Sequence, residues 1–286
     1  MVYFFDDPKS GYGWLGLRVK ETYPPQGLDI VVATPYDATY LFPEAFEGGK
    51  KPLVLCACDG TDFPPCWLSL LDKFAGVILM LDHSNLKEKY PEVIKGEWFP
   101  KLRFWGRQGV WKPRERVFGT IAQMGGRKGL QFLPTILSRC REFEFEVLTD
   151  HKTAIYLLPI AKSFPNLKVI ESNLSDEELM DWFLSLRAFF SLSMGEGGGL
   201  PAFEASYLGV PSILPYHTAY KFVPYAVFYP CTPVTPFDLQ LGGNIFSPDL
   251  DGFISILKGG NIPGEQNPQP PPFPVEPPWG ETLKSL

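Results

Sequence analysis

The sequence has 286 residues, 45% of them hydrophobic and 15% aromatic, with 26 basic against 32 acidic side chains for a net charge of −6. So apolar a chain is not disordered, and at about 150 residues per domain its length suits two domains, each able to bury a core. The acidic balance gives no reason to expect nucleic acid as a partner, and no apolar run approaches the roughly 20 residues of a membrane-spanning helix.

The first residues, Met-Val-Tyr-Phe-Phe-Asp6-Asp7, have no basic region before their apolar patch, so the expectation is a cytoplasmic chain without an export signal. Gly11-Tyr-Gly13-Trp-Leu-Gly16 then places three glycines near a helix start. Apolar, β-branched runs at 28–33, 52–57 and 76–81 predict buried strands. Asp59 follows the second of these and His83 the third; an aspartate in such a segment ordinarily caps a turn. His151 and His217 read as ordinary surface or packing residues. The five cysteines are odd in number and spaced like no zinc site, which suits small buried thiols, and no cluster suggests a metal.

A glycine-bearing, proline-closed segment around 110–115 marks a domain boundary near residue 112. Beyond it, strands are predicted at 116–121, 144–148, 167–171, 188–193 and 212–215, with helical spacing at 129–140 and 175–186. The second helix opens on a capping box, Ser175 with Glu178. Strands alternating with helices predict an α/β protein with parallel sheets. Eight of the 30 prolines fall between 263 and 278. That stretch predicts an extended arm strapping the surface, ahead of a short terminal helix at 279–286.

Two segments carry candidate chemistry. In Ser193-Met-Gly-Glu196-Gly-Gly-Gly-Leu200-Pro-Ala-Phe-Glu204, a strand runs into glycines and then a helix with proline in its first turn. Backbone amides and the positive end of the helix dipole would there face the carboxyl edge of a sheet, a geometry that favours phosphate. Glu196 and Glu204 bracket the loop and suit sugar hydroxyls, as ribose-binding acids do in dinucleotide folds. In Gly119-Thr120-Ile-Ala-Gln-Met-Gly-Gly-Arg127-Lys128-Gly129, two cations stand beside amides at a helix start, where the dipole prefers acids. A bound diphosphate would reconcile them. No P-loop spacing is present.

Together these residues resemble the group 1, or family 4, glycosyltransferases, most clearly over 117–209. The resemblance lies in Lys128-Gly129, in Leu-Ser-Asp-Glu-Glu-Leu at 174–179, and in Glu-Gly-Gly-Gly-Leu-Pro-Ala-Phe-Glu-Ala-Ser-Tyr-Leu-Gly-Val-Pro at 196–211. It implies the GT-B fold, two Rossmann-like domains with parallel sheets facing across a cleft: an acceptor-side domain at 1–112, a nucleotide-sugar-binding domain at 113–262, and the arm at 263–286. It also implies a retaining, metal-independent transfer, with no cofactor beyond a nucleotide-diphosphate sugar donor such as a UDP- or GDP-sugar. On that resemblance Glu196 binds donor-sugar hydroxyls and Glu204 the ribose. The amides of Gly197, Gly198, Gly199 and Leu200 meet the sugar and diphosphate, and Lys128 neutralises the leaving diphosphate. Gly119-Thr120 stands where the family has Gly-Arg, so Thr120 takes that place in the donor set and Arg127 supplies the missing charge. Gly13 resembles the glycine loop that faces the donor phosphates. Asp59 stands where the family often has a cleft-lining histidine or acid, and would position the acceptor or polarise a sugar hydroxyl; His83 is a second cleft candidate. The acceptor is left open between glycan, lipid and protein. Aromatics such as Tyr12, Tyr36 and Tyr40 suit sugar stacking, peripheral membrane contact or a core. The competing reading is a catalytically degenerate GT-B shell that binds a glycan or a protein.

Overall fold

The computed structural model describes residues 1–7, 10–22, 27–123, 125–171, 173–236, 242–259 and 262–263. The expected arm and terminal helix at 263–286 lie outside these residues apart from Pro263.

Two parallel sheets organise the chain. The first holds β1 (Val2–Phe4), β2 (Ile30–Val32), β3 (Leu53–Cys56), β4 (Gly76–Leu79) and β5 (Ile94–Glu97) side by side in chain order. The middle three are buried along their whole length, which is why they read as continuous apolar runs rather than alternating ones. Helices α1 (Gly11–Thr22), α2 (Pro35–Leu41), α3 (Pro65–Leu68) and α4 (Leu86–Lys89) lie in the connections.

The second sheet holds β6 (Arg114–Ile121), β7 (Glu144–Thr149), β8 (Leu167–Glu171), β9 (Leu186–Phe190), β10 (Ser212–Pro215) and β11 (Ala226–Tyr229). Their spatial order is β11-β10-β9-β6-β7-β8. The chain thus leaves β6 toward one edge and returns at β9 toward the other, which opens a crevice at the carboxyl ends of these two strands. Helices α5 (Leu133–Arg139), α6 (His151–Ser163), α7 (Asp176–Ser185), α8 (Leu200–Tyr207) and α9 (Leu250–Gly259) accompany this sheet, and β12 (Cys231–Val234) pairs antiparallel with β13 (Ile245–Pro248). Among the described residues no helix is long and apolar enough to cross a membrane.

Local chemistry sets the helix ends. The capping box at α7 is formed: Ser175 Oγ accepts the Glu178 amide at 3.2 Å, and the Glu178 carboxylate accepts the Ser175 amide at 2.7 Å. The helix expected over 129–140 is shorter. Gly129 has a φ of +73°, residues 130–132 form a 3₁₀ turn, and regular helix starts at Leu133. Gly129 cannot be replaced cheaply, because a Cβ there would lie 2.1 Å from the Leu192 carbonyl oxygen.

Residues 99–111 run between the sheets, and several of them pack on the core of the second. Phe99, Leu102 and Phe104 are buried in its core, and Trp111 Nε1 donates to the Leu186 carbonyl at 2.8 Å.

A buried charged group of this half also holds it together away from the crevice. Glu146 on β7 is 1% exposed. Its carboxylate accepts Arg114 at 2.9 and 3.0 Å, Lys168 at 3.0 Å and Trp182 Nε1 at 2.8 Å. Burial pushes this carboxyl up, but the hydrogen bonds and charges of Arg114 and Lys168 outweigh burial and hold it below the usual range. A carboxyl with a lowered folded-state pKa adds stability above its ordinary pKa and loses it as the pH falls. Glu146→Ala should therefore cost about 2–3 kcal/mol at neutral pH, measured by urea unfolding, with the deficit against wild type shrinking below the ordinary carboxylate range.

Candidate functional site

Both edges of the crevice are glycine-rich loops. Beyond β6 the chain reaches the 3₁₀ turn Gly126–Lys128. Beyond β9 it runs through 191–199 into α8, whose N-cap is Gly199 at φ +58°, with Pro201 in the first turn. The Met194 amide donates to the Arg127 carbonyl at 2.6 Å, which ties the two loops together.

Four charged side chains meet there. Lys128 Nζ donates to Glu196 Oε1. Arg127 Nη1 donates to the Gly195 carbonyl at 3.0 Å and lies 3.5 Å from Glu196 Oε1. Its Nη2 is 3.0 Å from Asp59 Oδ2. Asp59 belongs to the other half, just beyond β3, and its Oδ1 accepts the Gly197 amide at 2.9 Å. Burial pushes the Glu196 carboxyl up, yet Lys128 and Arg127 override it and hold Glu196 well below the usual range. Burial opposes the charge on Arg127 as well, and there Asp59 and Glu196 prevail. Lys128 is drawn down by burial and by Arg127, against the pull of Glu196.

The glycines of the loop meet the first half directly. A Cβ on Gly197 would sit 2.6 Å from Ala57 Cβ, one on Gly198 would overlap Met80 Cε at 1.5 Å, and one on Gly195 would be 2.4 Å from the Asp59 carbonyl oxygen. The Glu196 amide donates to Thr218 Oγ1 at 3.1 Å. The amides of Gly198 and Gly199 meet no acceptor among the described residues.

The structure thus brings Asp59, Arg127, Lys128, Glu196 and the 197–200 loop together. Three other expected site residues lie apart from this cluster. Glu204, on α8, is 5% exposed and faces Arg103 of the joining segment, whose Nε lies 3.9 Å from its Oε1. Thr120 is buried within β6, opposite Val147 of β7, rather than in the loop that follows. Gly13 belongs to the first turn of α1, not to a loop. Its amide is taken by Ser10 Oγ at 2.9 Å, and a Cβ there would meet the Asp7 carbonyl oxygen at 1.8 Å. The α1 side chain that approaches the Gly197 contact is Tyr12, whose hydroxyl accepts the Ala57 amide at 3.2 Å.

The sequence reads His217 as an ordinary surface or packing residue. It is buried beneath the loop, with Nε2 2.6 Å from the Ser193 carbonyl oxygen and Nδ1 2.8 Å from Thr218 Oγ1. Burial lowers its pKa to about 4, so the ring is neutral. A carbonyl can only accept, so Nε2 carries the proton and Nδ1 takes the Thr218 hydroxyl. His83 is held in the same way, by the Cys58 carbonyl at 2.6 Å and Ser84 Oγ at 2.7 Å. No motif announces either arrangement, because in each the carbonyl that takes the Nε2 proton, Cys58 or Ser193, comes from a distant loop.

Two α/β halves with parallel sheets facing across such a crevice define the GT-B fold. Solved structures of the same architecture include a sucrose-phosphate synthase from Thermosynechococcus elongatus, similar at a TM-score of 0.58 and 12% identity over 96% of this chain and 72% of its own. TarM follows at 0.54 and 15%, over 75% and 48%, and the pneumococcal O-GlcNAc transferase GtfA, solved with UDP and GlcNAc, at 0.53 and 12%, over 88% and 54%. The chain spans about half the length of the TarM and GtfA structures it matches. No protein-family model matches the sequence, and a sequence comparison with curated proteins finds no match.

Glu204 gives the site a pH signature. Burial, against the pull of Arg103, lifts its carboxyl from an ordinary 4.5 to about 7. A raised folded-state pKa means stability is full below about 4.5 and is lost as the pH rises through about 7. Glu204→Gln should remove that loss, worth about 3 kcal/mol. Urea unfolding of both proteins from pH 4.5 to 8 checks it, with the variant gaining on wild type as the pH rises.

Proposed function

We propose that this chain is a retaining glycosyltransferase that moves a sugar from a nucleotide-diphosphate sugar, such as a UDP- or GDP-sugar, to an acceptor without a metal. The observation that carries the reading is the convergence of Arg127, Lys128 and Glu196 on the glycine-lined start of α8, at the switch point of a GT-B fold. The presence of UDP in the GtfA structure and in that of a TarM mutant from S. aureus supports the donor class.

On this reading residues 1–112 form the acceptor side and 113–262 the donor side. The diphosphate lies against Arg127, Lys128 and the amides of Gly198, Gly199 and Leu200. Glu196, released from Lys128 by the incoming phosphate, accepts hydroxyls of the donor sugar, and Glu204 accepts those of the ribose. As the bond from the anomeric carbon to the diphosphate oxygen breaks, negative charge grows on that oxygen. Fixed cations and amides stabilise it without rearranging. The acceptor hydroxyl arrives on the face the diphosphate leaves, which retains configuration, and its proton passes to the departing phosphate oxygen. His83 and His217 do not act as bases here, since Nε2 of each ring carries its proton toward a carbonyl and Nδ1 of each already accepts a hydrogen bond from a neighbouring hydroxyl.

One observation favours the second reading, a silent GT-B shell that binds a glycan or a protein. Arg127, Lys128 and the Gly197 amide are all satisfied within the chain itself. The two readings part in one assay: release of nucleoside diphosphate from a panel of UDP-, GDP- and ADP-sugars. A transferase should consume one donor, by transfer or slow hydrolysis. Lys128→Ala and Glu196→Gln should each slow it about 10²–10³-fold with circular dichroism unchanged. Donors that bind and are never consumed would establish the shell.

A further inference from the structure

We propose that the cavity between the two halves is the acceptor site and that it selects an acceptor bearing an anionic group, a carboxylate or a phosphate, held by Lys221. The word acceptor rests on the transferase reading above; the anion site does not. The cavity measures about 370 Å³, within the range of small-molecule sites. His83 and Asn85 line it from the first half, and His217, Thr218, Lys221 and Phe246 from the second.

Its charge is one-sided. Among the described residues no aspartate or glutamate lines it. The two imidazoles are neutral, with both nitrogens engaged. Lys221 Nζ donates to the His83 carbonyl at 2.7 Å, which anchors it across the cleft. An ammonium has three donors; one is spent on that carbonyl, and the Phe222 ring centroid lies 5.0 Å from Nζ, which leaves donor capacity for a ligand. Arg127 and Lys128 are each matched by a carboxylate, whereas Lys221 has none within ion-pair distance among the described residues. The described lining residues therefore present one positive charge and no negative one, and in a partly closed cleft that charge attracts an anion more strongly than it would in open water.

The rest of the lining suits a sugar. Phe246 stacks on His217, with centroids 5.0 Å apart and planes at 6°, and Tyr216 is 60% exposed at the rim. These offer flat apolar faces to ring carbons, while Asn85, Thr61 and Ser84 offer polar groups to hydroxyls. Two of the lining residues, Asn85 at φ +56° and Thr218 at φ +38°, hold left-handed backbone without being glycine, a strain that concentrates at binding sites. Thr218 also ties the cavity to the donor loop, since its Oγ1 accepts the Glu196 amide. A sugar seated here would present a hydroxyl to the loop that holds the donor.

Calorimetric titration of glucuronate, glucose 6-phosphate and glucose, each with and without UDP or GDP, tests this. Wild type should bind an anionic sugar roughly ten- to a hundredfold more tightly than glucose, the size of one charged hydrogen bond. The better of the two anions distinguishes carboxylate from phosphate. Lys221→Met should erase the preference, Lys221→Arg should keep it, and Lys128→Ala should leave it intact. Equal binding of glucose, no binding of any sugar, or a preference that survives Lys221→Met would overturn the proposal. So would a preference lost in Lys128→Ala alone, which would put the anion in the donor site. Anion preference without any nucleotide binding would keep the cavity and remove the transferase reading; nucleotide binding without the preference would do the reverse.

Discussion

The arrangement depends on one carboxylate. Asp59 stands at the end of β3 and holds two groups of the opposite half at once, the Gly197 amide and the Arg127 guanidinium. That double grip seats the glycine loop against Ala57 and Met80 with no room for a side chain. It also aims Arg127, so that its other terminal nitrogen reaches Gly195 and Glu196. A second set of contacts runs nearby between Thr61 or Asp62 and the 242–244 segment, where the Thr61 amide donates to the Asn244 carbonyl at 3.1 Å. The halves are thus joined by these polar bonds and by Leu200 packed on the core of the first half.

Charge balance follows from that closure. Two carboxylates and two cations share the space at the switch point, and each buried charge has an opposite partner. A diphosphate entering this cluster brings charge that Glu196 now supplies, so on the proposed reading binding is an exchange: phosphate replaces Glu196 on Lys128, and Glu196 turns to the sugar. The imidazoles stay neutral throughout because burial lowers both. Lys221 alone adds a cavity-facing charge without a matching carboxylate, which is why it defines a separate preference.

Much of this was legible in the sequence, and the limits have physical causes. The buried strands β2, β3 and β4 were readable because they are apolar on both faces. The α7 start was readable because a capping box is local. The strands β1, β5, β11, β12 and β13 escaped: β5 reads Ile-Lys-Gly-Glu, which carries no apolar run. Helix α6 escaped too, with Pro159 inside it, although Asp150 caps it through the Thr153 amide. The resemblance to glycosyltransferases assigned Lys128 and Glu196 separate roles toward one donor, and their direct pairing came only with the structure. The grip of Asp59 on Gly197 spans 138 residues, and the burial of His217 depends on loops from three strands. No spacing rule in one sequence encodes such distances, and Glu204 turned toward Arg103 for the same reason: the joining segment that faces it is set by tertiary packing.

The central claim is that Arg127 and Lys128 form a diphosphate site. The measurement that tests it most directly is calorimetric binding of UDP, GDP and ADP, each beside its monophosphate, to wild type and to Lys128→Ala. The account predicts that one diphosphate binds wild type about tenfold or more above its monophosphate, and that this advantage disappears in Lys128→Ala. Diphosphates that fail to bind, or that bind the variant as well as the wild type, would contradict it.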